Sequence, residues 1–339
     1  MANIHELARL SGVSPSTVSR VFNGYADVSE TTRERVLAVA RDLDYTPSAA
    51  ARSLVRQRSQ LIGVILHTGP EHPDLQHPFF QDVLVGLKNA IGRAGYDMLV
   101  FASESAAVDA GPHSYAKRVR HHGVDGVVLM GVSADDREVE KVGNLGIPVM
   151  GIDLETEGPR AGHVTSDNVA GARLAVRHVH ERGHTRIATI AGPQDSVAGA
   201  DRLRGYREEL DALGLPYHPQ LVLDGDFYPE SGRASMNVLL ALGERPTAVF
   251  AASDLMAVGA IKAVQEAGLS VPGDVAVVGF DDVEIAALVS PSLTTIRQDK
   301  AGIGAAAAAA LVAMIEEPTA RPPVVMLPVE LVVRESSGT

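Results

Sequence analysis

Cysteine and tryptophan are both missing from this 339-residue sequence, and aromatic residues make up only 4% of it. Without cysteine there are no disulfides, thiolate metal sites, iron–sulfur clusters or cysteine nucleophiles. No apolar run approaches the ~18 to 20 residues needed to span a bilayer. The opening Met1-Ala2-Asn3-Ile4-His5-Glu6 lacks the basic and apolar stretches of a secretory signal, so a cytoplasmic chain with no membrane partner is expected. Gly-x-Gly-x-x-Gly, a Walker loop and a Gly-x-Ser-x-Gly elbow are also missing, so no catalytic residue, cofactor or enzyme activity is expected.

A hydrophobic fraction of 45% with 21% charged residues fits a folded chain, long enough for two or three packed units. The net charge of −12 is unevenly placed. Residues 1–60 hold eight arginines against six acids, while the remainder holds 22 basic and 36 acidic residues and nets −14. A small cationic head on an acidic body points to a polyanionic partner for the head alone.

Ile4-His5-Glu6-Leu7-Ala8-Arg9-Leu10 reads as a short helix with Ile4, Leu7, Ala8 and Leu10 on its apolar stripe, stopped by Gly12. Ser14 suits an N-cap and Pro15 a first helical position, so a second helix starts there. Its Val18, Val21 and Phe22 face a core, leaving Ser16, Ser19, Arg20 and Asn23 on a small, polar, cationic stripe. A third helix begins at Ser29, with Val36, Val39, Ala40 and Leu43 on one face. Two helices joined by a tight glycine turn match the geometry that lays a recognition helix in the DNA major groove. A plain three-helix bundle with a polar surface fits the same spacing.

Gly12-Val13-Ser14-Pro15-Ser16-Thr17-Val18-Ser19-Arg20-Val21-Phe22-Asn23-Gly24, followed by Val28-Ser29-Glu30-Thr31-Thr32-Arg33, resembles the headpiece of the lactose-repressor (LacI/GalR) family of bacterial transcription regulators. The resemblance continues through Tyr45-Thr46-Pro47-Ser48-Ala49-Ala50-Ala51-Arg52-Ser53-Leu54, similar to that family's hinge helix, with Ser48 where asparagine is common. It implies a helix-turn-helix headpiece over 1–47, a hinge helix and linker over 48–60, and a periplasmic-binding-protein-like body over 61–339. Pro15 and Ser16 then occupy positions that vary operator preference, and Arg20 that of a guanine-reading arginine. Ser14, Thr17, Ser19, Asn23, Ser29 and Thr32 suit phosphate oxygens. Independently of the family, the hinge segment allows only about two turns, too short to be stable alone. Ser48, Ala51 and Arg52 accompany Leu54, which is expected as a minor-groove wedge.

From residue 61 short apolar runs alternate with helical stretches. Runs at 61–66, 97–101, 126–130 and 148–152, then 186–190, 221–223, 248–252 and 275–280, read as strands of two parallel α/β units. Ligands of such sheets sit beyond the strand carboxyl ends. There the sequence places His67, Thr68, Ser103, Asp153, Gly192, Ser253, Asp254, Asp281 and Asp282. The resemblance divides the body into a first subdomain of about 61–163 and 296–323 and a second of about 164–295 and 324–339, with the final 324–333 strand in the second. By resemblance, Arg202 anchors an effector, Asp281 accepts its hydroxyls and Phe227 stacks on its ring, with His77, Phe79, Asp153, Ser253 and Gln298 at further pocket positions. Helix capping remains open for Asp281 and Asp254.

The loop from Thr68 to His77 is longer than usual for the family and is expected near the pocket mouth. His67, His72 and His77 do not have the spacing of a metal site. Ala305 to Ala310, with Ala301 and Gly304, read as a small-residue helix suited to close packing. The expected protein is a nucleoid-associated homodimeric repressor on a pseudo-palindromic double-stranded operator, released by a mono- or oligosaccharide. The tetramer-forming tail of the family is not seen after the last strand. A purine-like co-repressor is the alternative ligand, and a sugar-binding protein or enzyme on the same body the alternative class.

Overall fold

The computed structural model describes residues 3–22, 25–45, 58–66, 75–102, 114–133 and 136–338. Asn23, Ser48, Ala51, Arg52 and Leu54 lie outside the described residues, as do His67, Thr68, His72, Ser103 and all but the end of the expected hinge. The chain divides into two units, Met1–Leu61 with Gly123–Asp125, and Ile62–His122 with Gly126–Thr339.

Among the described residues the first unit contains three helices, α1 (Ile4–Ser11), α2 (Pro15–Phe22) and α3 (Glu30–Asp42). Asn3 caps α1, accepting from the amides of His5 and Glu6, and Gly12 ends it with φ 67°. Ser14 accepts from the amide of Thr17 and Ser29 from that of Thr32, so each later helix also starts on a side-chain cap. Leu7, Ala8, Val18, Val21, Val36 and Ala40 form the buried core, with Phe22 edge-on to Tyr45. Leu10 is corrected to the surface at 47% exposure, because α1 turns that position away from the other two helices. Arg33 reaches back to donate to the carbonyls of Val21 and Tyr25.

In the second unit the first sheet comprises β1 (Leu61–Leu66), β2 (Asp97–Phe101), β3 (Gly126–Met130), β4 (Val149–Ile152), β5 (Ala161–Ser166) and β11 (Val324–Leu327). The second comprises β6 (Ile187–Ala191), β7 (Val222–Asp224), β8 (Ala248–Ala251), β9 (Ala276–Asp281), β10 (Thr294–Gln298) and β12 (Val329–Val332). Their orders are β11-β5-β4-β3-β1-β2 and β12-β10-β9-β8-β6-β7. The recorded pairings are parallel except β10 with β12. All eight expected strands are present within one residue of their expected ends. The edge strands β2 and β7 are only partly buried, each having a neighbour on one side alone.

Three boundaries are corrected. The last strand is two strands: Val324–Leu327 pairs with β5 in the first sheet and Val329–Val332 with β10 in the second. Pro328, which has no N–H to offer a ladder, separates them. The expected break at 163/164 falls inside β5, which stays in the first sheet to Ser166, and that at 295/296 falls inside β10, which stays in the second to Gln298.

The helices that position the site are α4 (Pro78–Arg93), α7 (Asn168–Glu181), α8 (Val197–Ala212), α9 (Pro229–Leu240), α10 (Asp254–Glu266) and α12 (Lys300–Glu316). The shorter α5 (Tyr115–His122), α6 (Arg137–Gly143) and α11 (Glu284–Leu288) are the other helices of this unit among the described residues. The small-residue helix α12 packs closely on α4. A Cβ at Gly86 would run into the main chain of Ala301, and one at Gly304 into that of Val83. Ile303, Ala307 and Leu311 thereby join Val83 and Leu87 in the core of the first sheet.

Candidate functional site

On the first unit, Pro15 and Thr17 are half-buried while Ser16 and Arg20 are exposed on the outer side of α2. The Ser14 hydroxyl lies 2.7 Å from that of Ser16 and 2.9 Å from that of Thr17, and Ser29 donates to Thr32, so these groups frame the amino-terminal ends of α2 and α3. Helix ends with open amides favour anions. The guanidinium of Arg20 pairs with Asp27 at 3.0 Å and lies 5.8 Å from the Tyr25 ring centre. Asp27 and Tyr25 were not anticipated, since the turn they occupy carries no periodic pattern.

In the second unit, the carboxyl ends of both sheets bring polar groups together around Arg202, which is only 3% exposed. Its Nε donates to Asn168 Oδ1 at 2.8 Å, and its Nη1 donates to the Ala252 carbonyl at 2.6 Å and faces Asp281 Oδ1 at 3.5 Å. The guanidinium carbon sits 3.8 Å from the Phe280 ring centre and 5.7 Å from that of Phe227. Phe227 has φ 72°, and its ring lies where a Cβ on Gly192 would stand. Asp281 also accepts from Gln298 Nε2 at 2.7 Å. Across the cleft, Asp153 accepts from Thr165 Oγ1 at 2.6 Å, and Thr165 accepts from Asn168 Nδ2 at 3.3 Å. One chain of hydrogen bonds thus runs from Asp153 of the first subdomain through Thr165, Asn168 and Arg202 to Asp281 and Gln298 of the second.

The electrostatics follow from burial of three carboxylates around Arg202, with Lys300 as a second cation beside Asp281. Burial raises the Asp153 carboxyl above its usual range, opposed by Thr165 and Arg202 and reinforced by Asp281. Burial pushes Asp281 up to about 6, against Arg202, Lys300 and Gln298. Asp254 is pushed well up by burial and by Asp281. Burial in turn lowers the Arg202 guanidinium, while Asp281 and Asp153 hold it charged. Gln298 Oε1 and Ser166 Oγ are buried with no hydrogen-bond partner among the described residues.

The remaining expected ligand groups have structural tasks. Ser253 caps α10 by accepting from the amide of Met256 and donates to the Phe227 carbonyl at 2.9 Å, so it supports Phe227 from behind. Phe79 lies in the apolar core of the first sheet. His77 caps α4, and its ring stands edge-on to Tyr228 of the other subdomain at 5.4 Å. Asp254 accepts from the amide of Val283 and from Thr295, closing the corner after β9, whereas Asp281 faces Arg202 and Gln298 and caps no helix. Sequence reasoning missed Asn168, Thr165, Phe280 and Tyr228. A polar Thr165 and Asn168 flanking the junction after β5 was the available signal, as was Tyr228 beside Phe227.

A helix-turn-helix head and a two-sheet body with polar groups converging at its strand ends define a DNA-binding regulator of the kind that carries a periplasmic-binding-protein-like domain. Residues 3–48 match the model of bacterial regulatory proteins of the lacI family, and 176–337 that of the periplasmic binding protein-like domain. The HTH-type transcriptional regulator CelR of Thermobifida fusca is 38% identical over 332 residues, covering 97% of this chain and 96% of CelR. The HTH-type transcriptional repressor PurR of Aliivibrio fischeri is 34% identical over 342 residues, covering 99% and 98%. Among solved structures, a transcriptional regulator CelR–cellobiose complex superposes with a TM-score of 0.76 at 35% identity, covering 99% of this chain and 100% of that one. The lac repressor dimer bound to operator and the anti-inducer ONPF gives 0.86 at 30% identity, covering 100% and 99%. The chain belongs to the lacI family of bacterial regulatory proteins and is a sequence-specific DNA-binding transcription regulator.

Proposed function

We propose that this regulator is a homodimeric repressor, held on a pseudo-palindromic operator by two headpieces and released when a mono- or oligosaccharide enters the cleft. The observation that carries the sugar reading is the donor and acceptor set at the cleft: a buried arginine between two carboxylates, with Gln298 Oε1 and Ser166 Oγ open to a further partner. Vicinal hydroxyls can donate to carboxylates and accept from a guanidinium at once, while the face of Phe227 suits the apolar side of a pyranose ring. The cellobiose complex of CelR supports the same chemistry. Arg202, Asp281, Asp153, Gln298, Phe227 and His77 are the proposed ligand contacts, with Ser253 and Phe79 behind them.

On DNA, Pro15, Ser16 and Arg20 face base edges, and Ser14, Thr17, Ser19, Asn23, Ser29 and Thr32 face phosphates. Ser48, Ala51, Arg52 and Leu54 belong to the minor-groove contact. Calorimetric titration of the full-length protein with cellobiose, ribose, hypoxanthine and guanine tests the ligand class. Fluorescence anisotropy on palindromes from its own chromosome tests the response. The expected result is sugar binding that weakens operator binding by ~5 to 150-fold. A purine that tightens operator binding overturns the sugar reading, and absence of salt-sensitive, sequence-selective DNA binding overturns the whole.

A further inference from the structure

Lys300 is the first residue of α12, and helix packing dictates where its side chain goes. The glycine contacts at Gly86 and Gly304 draw α4 and α12 together, which places Asp82 of α4 3.7 Å from Lys300 Nζ. From this first-subdomain helix the ammonium crosses to the second subdomain and donates to the main-chain carbonyls of Asp281 and Asp282, each at 2.8 Å. Lysine is rarely buried without partners, yet Lys300 is 8% exposed. The corner it grips is strained, with φ 115° at Asp281 and 52° at Asp282, values that non-glycine residues seldom adopt.

The side chain of Asp282 is held separately, by Arg297 Nε and Arg334 Nη2 at 2.6 Å each. Arg297 lies near the end of β10, just before the chain crosses to α12, and Arg334 follows β12. Asp254 of α10 holds the next amide, that of Val283, and among these groups Lys300 is the one whose helix belongs to the first subdomain. Any change in the relation of the subdomains pulls on the two peptides that aim the Asp281 carboxylate.

We propose that Lys300 is a positioning residue for the effector site, tying the orientation of the Asp281 carboxylate to the closure of the two subdomains. The proposal rests on the reading of Asp281 as an effector contact, but its first test needs no effector. The groups facing Asp281 are Arg202 from α8, Lys300 from α12, Asp254 from α10, Asp153 at the end of β4, the adjacent Asp282 and the neutral Gln298. Of these, Arg202 and Lys300 are the cations that favour its ionised form.

The experiment compares full-length wild type, Lys300→Met and Lys300→Arg, each with and without Asp281→Asn, by urea unfolding followed by circular dichroism from pH 5 to 8. Loss of the cation in Lys300→Met should move the ionisation of Asp281 upward by about 1 pH unit. Lys300→Arg should restore it, and the Asp281→Asn background should abolish the shift. If Lys300→Met does not fold, Lys300→Gln provides the same comparison. Cellobiose titration at pH 7.5 should show at least a tenfold loss of affinity for Lys300→Met and less for Lys300→Arg. A wild-type pH profile in Lys300→Met, or a shift that persists with Asp281→Asn, overturns the proposal. Failure of cellobiose and the other probes to bind wild type removes the sugar reading alone, and the unfolding profiles still decide the role of Lys300.

Discussion

Replacing Asp281 by asparagine should separate what the carboxylate costs the fold from what it does for the ligand. Burial raises this carboxyl from the ordinary 3.8 to about 6 even with Arg202 and Lys300 opposing. One pKa unit corresponds to about 1.36 kcal/mol, so ionising Asp281 inside the folded chain costs on the order of 3 kcal/mol at pH 7. Below pH 3.8 the group is neutral in both states and the penalty vanishes. Between about 4 and 6 the unfolded chain has released the proton while the folded chain retains it, so stability falls with rising pH, and above 6 the penalty is constant.

Asparagine is neutral throughout and keeps an oxygen to accept from Gln298 and Arg202. Asp281→Asn should therefore be the more stable protein at pH 7.5, by up to about 3 kcal/mol, with the difference shrinking toward zero near pH 4. The same change removes a charged acceptor for an effector hydroxyl, worth ~1.5 to 3 kcal/mol, or ~10 to 150-fold in Kd. Because the chain has no tryptophan, circular dichroism in urea at pH 4.5, 6 and 7.5 is the suitable stability assay, with calorimetric titration for the ligand. In wild type, effector affinity should also fall below pH 6, where Asp281 takes up a proton, and this dependence should be missing in the variant. A variant less stable than wild type at pH 7.5 with undiminished ligand affinity would refute the reasoning.

Arg20→Ala should remove ~1 to 3 kcal/mol of discrimination at one base pair of each half-site, visible as a flattened preference in competition gel shifts. Asp27→Asn, which frees Arg20 of an exposed partner, should alter stability by no more than ~1 kcal/mol and strengthen operator binding most at low salt. Leu54→Ala should reduce the operator bend measured by circular permutation while leaving base preference intact. Gly304→Ala should destabilise the body by ~1 to 3 kcal/mol in urea unfolding, since its methyl group meets the main chain of Val83 and the helices must part.

Buried parallel strands are legible because they are continuous apolar runs. The edge strands β2 and β7 are short apolar runs bounded by polar residues, while the other six of the eight expected strands are interior and stand out on that basis. β5 and β10 do not, because Ala-Gly-His-Val-Thr-Ser and Thr-Thr-Ile-Arg-Gln mix polar side chains that serve the cleft and the hinge with the residues that pack. The division of the last strand at Pro328 depends on which neighbour each half finds, a tertiary fact with only a proline to signal it. In the headpiece, periodicity and caps sufficed for three helices but misplaced Leu10, because a single stripe position at a helix end is decided by where the other helices stop. At the cleft, Arg202, Asp281 and Asp153 follow from resemblance and strand ends. Asn168 has only its polar position after β5 to signal it, and Phe280 and Lys300 become visible only when two sheets face each other.

The backbone at the cleft explains why Ser253 and Thr165 matter although they are not the most direct ligand groups. Asp153, Phe227, Asp281 and Asp282 all have positive φ without being glycine, at 49°, 72°, 115° and 52°. Such conformations cost of order 1 to 3 kcal/mol each and persist only where the surroundings over-determine them. Each has its own restraint: Thr165 bonds the Asp153 carboxylate, Ser253 the Phe227 carbonyl, Lys300 the carbonyls of Asp281 and Asp282. Two of the three restraints are made within one subdomain, and the third spans both. Strain that is held inside a subdomain keeps its ligand group fixed whatever the neighbouring subdomain does. Strain held across the hinge is relieved or renewed when the subdomains move, so under the proposed function Asp281 is the contact whose aim would depend on the state of the body, with Asp153 and Phe227 as the fixed references.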